Sequence, residues 1–195
     1  MDAQTKLLAP LTFNQGNLAQ IGNDSGSTGF AIGIIFLNAL ISGALAAFGD
    51  GGAQLGFLLN TLGVASTAVA AVFIFMFVFQ LLFLIFISWG IKVAVGLFGG
   101  KASTMEVLRM IGFATIWSII GTVIVFILPS LGIINTICSI LFIVAVAIGL
   151  GASAQISPIV AFIACIVGLI ISVIVLFIFA LVLALALSGV INSLA

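Results

Sequence analysis

The 195-residue chain is 65% hydrophobic and 4% charged, whereas an ordinary soluble domain is about half apolar and about a quarter charged. It carries four Lys or Arg, four Asp or Glu and no His, so it lacks both the basic surface that binds nucleic acid and the usual groups of metal sites and acid–base catalysts. We therefore expect an all-α integral membrane protein that is not an enzyme, holds no cofactor and binds no nucleic acid.

The first 28 residues are mixed in character. Leu7, Leu8 and Leu11 fall close to one helical face, and a Gly-, Asn- and Ser-rich stretch follows at residues 22–28. A short apolar face of this kind is typical of a helix at a membrane surface, and the polar stretch is typical of a loop. Residues 1–28 are thus predicted to form an interfacial or cytoplasmic tail and a flexible linker, with a partner-binding arm as the alternative.

Residues 29–195 contain apolar runs long enough to cross a bilayer, which takes about 20 residues of helix. Ser103 and Glu106 fit a capping box at the start of one run, Pro129 ends that run, and Pro158 begins the last. The second run suits either one long tilted helix or a broken pair, and we predict one helix. The chain is thus predicted to be a polytopic transmembrane helix bundle of about five spans, at approximately 30–48, 64–98, 104–128, 133–150 and 158–188.

The orientation is predicted from the few basic residues, because Lys and Arg near helix ends stay in the cytoplasm. Lys101 and Arg109 flank the loop between the second and third spans, and Lys92 lies just before it, whereas Asp50 lies in the preceding loop. With five spans, this pattern places the N-terminus in the cytoplasm and the C-terminus outside.

Four of the eight charged residues lie close together in the sequence, at Lys92, Lys101, Glu106 and Arg109. Glu106 and Arg109 are three residues apart, so a helix would bring them together. One interpretation is a docking site for a cytoplasmic partner or for anionic lipid headgroups. The alternative is membrane anchoring, in which Lys92 extends from inside its helix to the surface.

Two amides, Asn38 and Gln80, fall inside the first and second spans. An unpaired amide in hydrocarbon is costly, so we expect both to form hydrogen bonds between helices. A polar transport path is the alternative, although it needs more such groups at the midplane.

Small residues recur one turn apart at Gly29-x-x-x-Gly33, Gly43-x-x-x-Ala47 and Gly168-x-x-x-Ser172. This spacing lets helix backbones approach closely. We expect close packing within the chain, and self-association is the alternative.

One stretch carries a family resemblance. Residues 98–103 read Phe-Gly-Gly-Lys-Ala-Ser, residues 108–114 read Leu-Arg-Met-Ile-Gly-Phe-Ala, and Pro129 and Gly132 close the following helical hairpin. The stretch resembles the YIP family of Rab-GTPase-interacting membrane proteins, in which a Gly-Gly-Lys-Gly-Ser-like loop precedes a helix with a Leu-x-x-x-Gly-Tyr-Ala-like segment. The resemblance implies a five-span fold with a cytoplasmic N-terminal tail and a role in membrane organisation or trafficking.

The chain departs from that family in three respects. Phe113 stands in place of the tyrosine, and Thr115-Ile116-Trp117 stands where the family often has a proline. The short tail lacks the acidic and aromatic features associated with Rab binding in eukaryotic members, which makes GTPase binding doubtful. The chain is most similar to prokaryotic-type members of the family.

Three functional hypotheses follow for this membrane protein. The first is a YIP-like, non-catalytic role in membrane organisation, trafficking or partner docking. The alternative is an accessory subunit packed inside a larger membrane complex, and a second alternative is a small transporter or channel. The expected partners are membrane lipids and either other membrane proteins or a second copy of the chain.

Overall fold

The computed structural model describes residues 2–48 and 69–194, and these residues form helices and no strand. Short 3-10 turns lie at Ser25–Ser27 and Pro129–Leu131. The described α-helices are α1 (Ala3–Thr12), α2 (Gln15–Asn23), α3 (Thr28–Phe48), α4 (Val69–Leu97), α5 (Thr104–Ile127), α6 (Ile133–Ser153) and α7 (Pro158–Leu194).

The helices α3 to α7 are each long and apolar enough to cross a membrane. These five helices, all within the described residues, confirm the prediction of an all-α transmembrane bundle of about five spans. The described part of the second run is one unbroken helix, Val69–Leu97, while residues 64–68 and the loop with Asp50 lie outside the described residues.

Helix α6 continues to Ser153, past the predicted end at residue 150. Gly149 and Gly151 lie near this end, and each sits where another part of the chain comes close. A Cβ at Gly149 would lie 2.6 Å from the sulfur of Met110, and one at Gly151 would lie 3.1 Å from the Cα of Pro158. The two glycines therefore allow Met110 and Pro158 to pack closely against α6, and the helix continues through both positions.

The five long helices pack as a closed ring in the order α3, α4, α7, α6, α5, and α4 also contacts α5 across the ring. Glycines set the closest approaches. A Cβ at Gly168 of α7 would lie 2.5 Å from the Cα of Ile91 in α4, and one at Gly112 of α5 would lie 2.8 Å from the carbonyl oxygen of Ala31 in α3. These helix pairs meet backbone to backbone because no side chain stands between them.

The spacing Gly168-x-x-x-Ser172 faces α4, as the prediction of close packing within the chain requires. The single proton of the Ser172 hydroxyl is shared between two carbonyl oxygens, that of Gly168 at 2.6 Å and that of Phe86 in α4 at 3.0 Å. In contrast, a Cβ at Gly29 or at Gly33 would meet no described atom within 4 Å.

The start of α5 confirms the predicted capping box. The Ser103 hydroxyl accepts a hydrogen bond from the Glu106 N–H at 3.1 Å, and the Glu106 carboxylate accepts one from the Ser103 N–H at 2.5 Å. Two N–H groups that the first helical turn leaves unpaired are thereby satisfied.

The N-terminal residues form an antiparallel helical hairpin, α1–α2, which packs against α5 and α6. Its inner face is buried: Ala9, Leu18 and Ile21 join a small apolar cluster with Phe113 of α5. The helical hairpin is held shut by an ion pair of 2.7 Å between the ammonium of Lys6 and the carboxylate of Asp24. Residues 2–28 are therefore packed against the bundle.

The Gly-, Asn- and Ser-rich stretch that suggested a flexible linker is organised by Asp24. Its carboxylate accepts hydrogen bonds from the Gly26 N–H at 2.9 Å and from the Ser27 hydroxyl at 2.6 Å, in addition to the ion pair with Lys6. Capping by this side chain closes a 3-10 turn that leads directly into α3.

Candidate functional site

One end of the bundle gathers the turns before α5 and α7 together with the start of α3. The Lys101 N–H, in the turn between α4 and α5, lies 3.5 Å from the carbonyl oxygen of Ala154, after α6. The side chains of Lys92 and Lys101 are exposed at or near this end. We call it the basic end, because all four basic residues of the chain lie on or close to it.

The four clustered charges do not share one surface. Arg109 is buried, with 7% of its surface exposed, and it points inward. Its Nε donates to the carbonyl oxygen of Gly22 at 2.8 Å, its Nη2 donates to the same oxygen, and its Nη1 donates to the Thr28 hydroxyl at 3.0 Å. Arg109 therefore fixes the junction between the helical hairpin and α3.

Glu106 and Arg109 stand three residues apart on α5, yet they do not pair. The Glu106 carboxylate accepts a hydrogen bond from the Ser103 N–H, while the Arg109 guanidinium donates to the Gly22 carbonyl and to the Thr28 hydroxyl. Among the described residues, the one ion pair is that between Lys6 and Asp24. The exposed positive charge of the basic end is thus supplied by Lys92 and Lys101.

The helical hairpin reaches well down the side of the bundle. At its tip, the ring of Phe13 stacks on that of Trp117, with centroids 5.8 Å apart, and the indole N–H of Trp117 donates to the carbonyl oxygen of Pro10 at 3.1 Å. Trp117 follows Arg109 by about two turns of α5, or about 12 Å. The chain thus enters at the basic end, turns at the depth of Trp117 and returns to that end before α3 begins.

A second site lies inside the ring of long helices, where Asn38 of α3 and Gln80 of α4 line the same cavity. The cavity has a volume of about 220 Å³. Its wall combines amides and hydroxyls with apolar side chains: Asn38, Gln80, Thr115, Ser118 and Ser139, and Phe83, Leu84, Phe142, Ile143 and Leu169.

The cavity lies at mid-depth in the bundle. Asn38 stands about 15 Å along α3 from the basic end, Thr115 about 16 Å along α5, and Ser139 about 21 Å along α6, at 1.5 Å per residue. Every long helix contributes at least one lining residue. We call this space the polar cavity.

Several oxygen atoms in the wall of the polar cavity remain available to accept hydrogen bonds. The Thr115 hydroxyl donates to the carbonyl oxygen of Ile111 at 2.7 Å, and the Ser139 hydroxyl donates to that of Asn135 at 2.8 Å, so each uses its single proton within its own helix. The Oδ1 of Asn38 is buried and has no hydrogen-bond partner. Both amides were predicted to form hydrogen bonds between helices, but the hydrogen bonds found among the described residues include none from the side chain of Asn38 or Gln80.

Sequence reasoning singled out the two amides and overlooked the hydroxyls of Thr115, Ser118 and Ser139. These residues fall in strongly apolar spans, where single hydroxyls usually bond to their own helix. The spacing of Thr115 and Ser118, three residues apart and hence on one helical face, was the available signal. Which way that face turns is decided by packing between helices.

No group of three or more metal-binding side chains occurs within residues 2–48 and 69–194. Cys138 and Cys165 are buried, with free thiols. Comparison of the chain with protein-family models, with curated proteins and with solved structures finds no match.

Proposed function

We propose that this chain is a non-catalytic, YIP-like membrane protein that organises the bilayer around it. The observation that carries the proposal is the unequal length of neighbouring spans. Helices α4 and α7 lie side by side and contain 29 and 37 residues, whereas α5 and α6 contain 24 and 21.

This inequality gives the molecule a thick side and a thin side. At 1.5 Å per residue, α6 is about 32 Å long and matches a hydrocarbon core of about 30 Å. The apolar run of α7 from Pro158 to Leu187 is about 45 Å long, so it must tilt strongly or thicken the lipid beside it. We propose that thickening contributes, so that lipid next to α4 and α7 is stretched relative to lipid next to α5 and α6.

The basic end is proposed to face the cytoplasm, with the C-terminus on the other side. All four basic residues lie on or close to it, in agreement with the retention of Lys and Arg in the cytoplasm. Exposed Lys92 and Lys101 suit contact with anionic headgroups, at about 1 kcal/mol for each residue. Arg109, being buried, takes no part in such docking.

The test is reconstitution of the purified protein into bilayers of phosphatidylcholines with short, medium and long acyl chains, with local thickness measured by electron cryomicroscopy. We expect thickening beside α4 and α7 in the short-chain bilayer and none in the long-chain bilayer. The double variant Leu183→Lys/Leu187→Lys shortens the apolar run of α7 and should reduce the thickening. The control Asn192→Lys/Ser193→Lys adds the same charges beyond that run and should leave the thickening unchanged.

Equal thickness around the whole protein in every bilayer would contradict the proposal. An accessory role in a larger complex makes a different prediction, namely stoichiometric co-purification of larger membrane subunits in mild detergent, which native mass spectrometry detects. Membrane organisation by the protein itself predicts a monomer or homo-oligomer in the same measurement.

A further inference from the structure

We propose that the polar cavity binds an uncharged glycerol moiety, that is, a small carbon skeleton carrying adjacent hydroxyl groups. This inference concerns the interior of the bundle and is independent of the thickness mismatch that carries the proposed function. It rests on the acceptors that the cavity offers, on its neutrality and on its size.

The free acceptor atoms of the cavity favour a ligand that donates hydrogen bonds. The protons of Thr115 and Ser139 are already committed to helix carbonyls, so both hydroxyl oxygens can only accept. Asn38 is 1% exposed, and its Oδ1 lacks a partner. A buried acceptor without a donor is costly in a bundle surrounded by lipid, and a ligand with several O–H groups removes that cost.

The absence of charged side chains from the cavity lining also favours a neutral ligand. The lining contains no Asp, Glu, Lys or Arg, so a cation or an anion would enter the middle of the bundle without a counter-charge. An uncompensated charge at that depth is far more costly than a neutral hydroxyl. The amide and hydroxyl lining therefore favours uncharged donors over metal ions, ammonium groups and phosphate.

Size and wall chemistry narrow the choice further. A volume of about 220 Å³ corresponds to roughly seven waters, at about 30 Å³ each, and lies below the 300–1,000 Å³ that is common for drug-sized ligands. Phe83, Phe142 and Leu169 supply apolar wall, which suits carbon atoms better than water alone. A three-carbon polyol satisfies both the acceptors and the apolar wall.

The ligand has a way in beside α6. Ser139 is the one exposed residue of the lining, whereas Asn38, Leu84 and Thr115 are buried. The cavity therefore runs from an opening at Ser139 to a closed end at Asn38. Both free glycerol and the uncharged headgroup of a monoacylglycerol offer the required chemistry at such an opening.

The experiment uses the full chain in lipid nanodiscs and radiolabelled glycerol as the probe, with bound label measured by equilibrium dialysis. We expect saturable binding above that of empty nanodiscs, weakened about tenfold or more by Asn38→Leu and by Thr115→Val, since each removes one acceptor. Ser88→Ala is the matched control: the Ser88 hydroxyl donates to its own helix at the Leu84 carbonyl, 2.8 Å away, and does not line the cavity. This control should bind glycerol as the unchanged protein does.

Folding of each variant is checked by its thermal unfolding midpoint, and Thr115→Val carries the test if Asn38→Leu fails to fold. Displacement of the label by a monoacylglycerol at lower concentration than by unlabelled glycerol supports a lipid-borne ligand. The reverse order supports a free polyol. Binding no greater than in empty nanodiscs, or saturable binding that neither cavity variant weakens, would overturn the proposal.

Discussion

The indole N–H of Trp117, in the middle of α5, donates a hydrogen bond to the carbonyl oxygen of Pro10, in the last turn of α1, across 107 residues of sequence. Carbonyls in the last turn of a helix lack a partner within that helix. The Trp117 indole supplies one, and the stacked ring of Phe13 shields it. This contact fixes the depth to which the helical hairpin descends along the bundle.

Replacing Trp117 by Phe should loosen the helical hairpin while leaving the five long helices in place. Phe retains much of the stacking on Phe13 but leaves the Pro10 carbonyl without its donor, at a cost of about 1–2 kcal/mol in the free energy of unfolding. Hydrogen exchange measured by mass spectrometry should show faster exchange in residues 3–23. Trp89→Phe is the control, since Trp89 is 42% exposed, and it should leave that exchange unchanged.

Replacing Arg109 by Met should release the junction at Gly22. The variant keeps an apolar stem of similar length but removes three donors, and it leaves a buried carbonyl unpaired, so we expect a loss of about 1–3 kcal/mol in the free energy of unfolding. Unfolding of the detergent-solubilised protein with a denaturing detergent measures the loss. Lys101→Met removes an exposed charge from the same end and should change stability by less than about 0.5 kcal/mol. Equal losses in the two variants would mean that Arg109 acts only through its charge.

The helical hairpin should open in acid. Hydrogen bonds from Lys6, Ser27 and the Gly26 N–H lower the pKa of Asp24 below its ordinary value of 3.8, and bonds from Thr5 lower the pKa of Asp2. A carboxylate whose pKa is depressed on folding stabilises the folded form above its ordinary pKa, and this stabilisation is lost as the pH falls below that value. Cleavage within residues 2–27 by pepsin should therefore rise as the pH is lowered from about 4 towards about 2.

The matched variant for this pH dependence is Asp24→Asn. It removes the titrating carboxylate together with the ion pair to Lys6, so pepsin cleavage should already be high near pH ~4. Cleavage should also rise less on further acidification, because position 24 no longer titrates. An identical acid response in the variant and the unchanged protein would show that other groups open the helical hairpin.

Two glycine substitutions should have opposite effects. A Cβ at Gly90 would lie 2.5 Å from the carbonyl oxygen of Gly168, so Gly90→Ala must push α4 and α7 apart, and we expect a loss of about 1–3 kcal/mol in the free energy of unfolding. Gly33→Ala places the same methyl group where no described atom lies within 4 Å. It should leave stability unchanged or raise it by about 0.5 kcal/mol, because alanine restricts the unfolded chain. Thermal unfolding in one detergent compares the two, and similar losses would refute the backbone contact.

The spans were predictable because each long helix carries its own signal. Apolar runs of sufficient length, the capping residue Ser103 and the helix-starting Pro158 act locally, and the structure places α5 and α7 accordingly. The partners of Arg109 and Trp117 were not predictable, because they lie 81 and 87 residues away for Arg109 and 107 residues away for Trp117. The polar cavity depends on how five apolar helices rotate about their axes, and a helix that is apolar on all sides gives little indication of its rotation.

The helical hairpin is synthesised before α5 and α6, which carry the groups that hold it in place. Gly22 and Pro10 find their partners on α5, and Leu18 packs beside Gly149 of α6. Translation proceeds from the N-terminus, so the inner face of α1 and α2 has no surface to cover until the later spans are in the membrane. Docking of these two helices is therefore a late step of assembly, and their protection from solvent reports that α5 and α6 are in place.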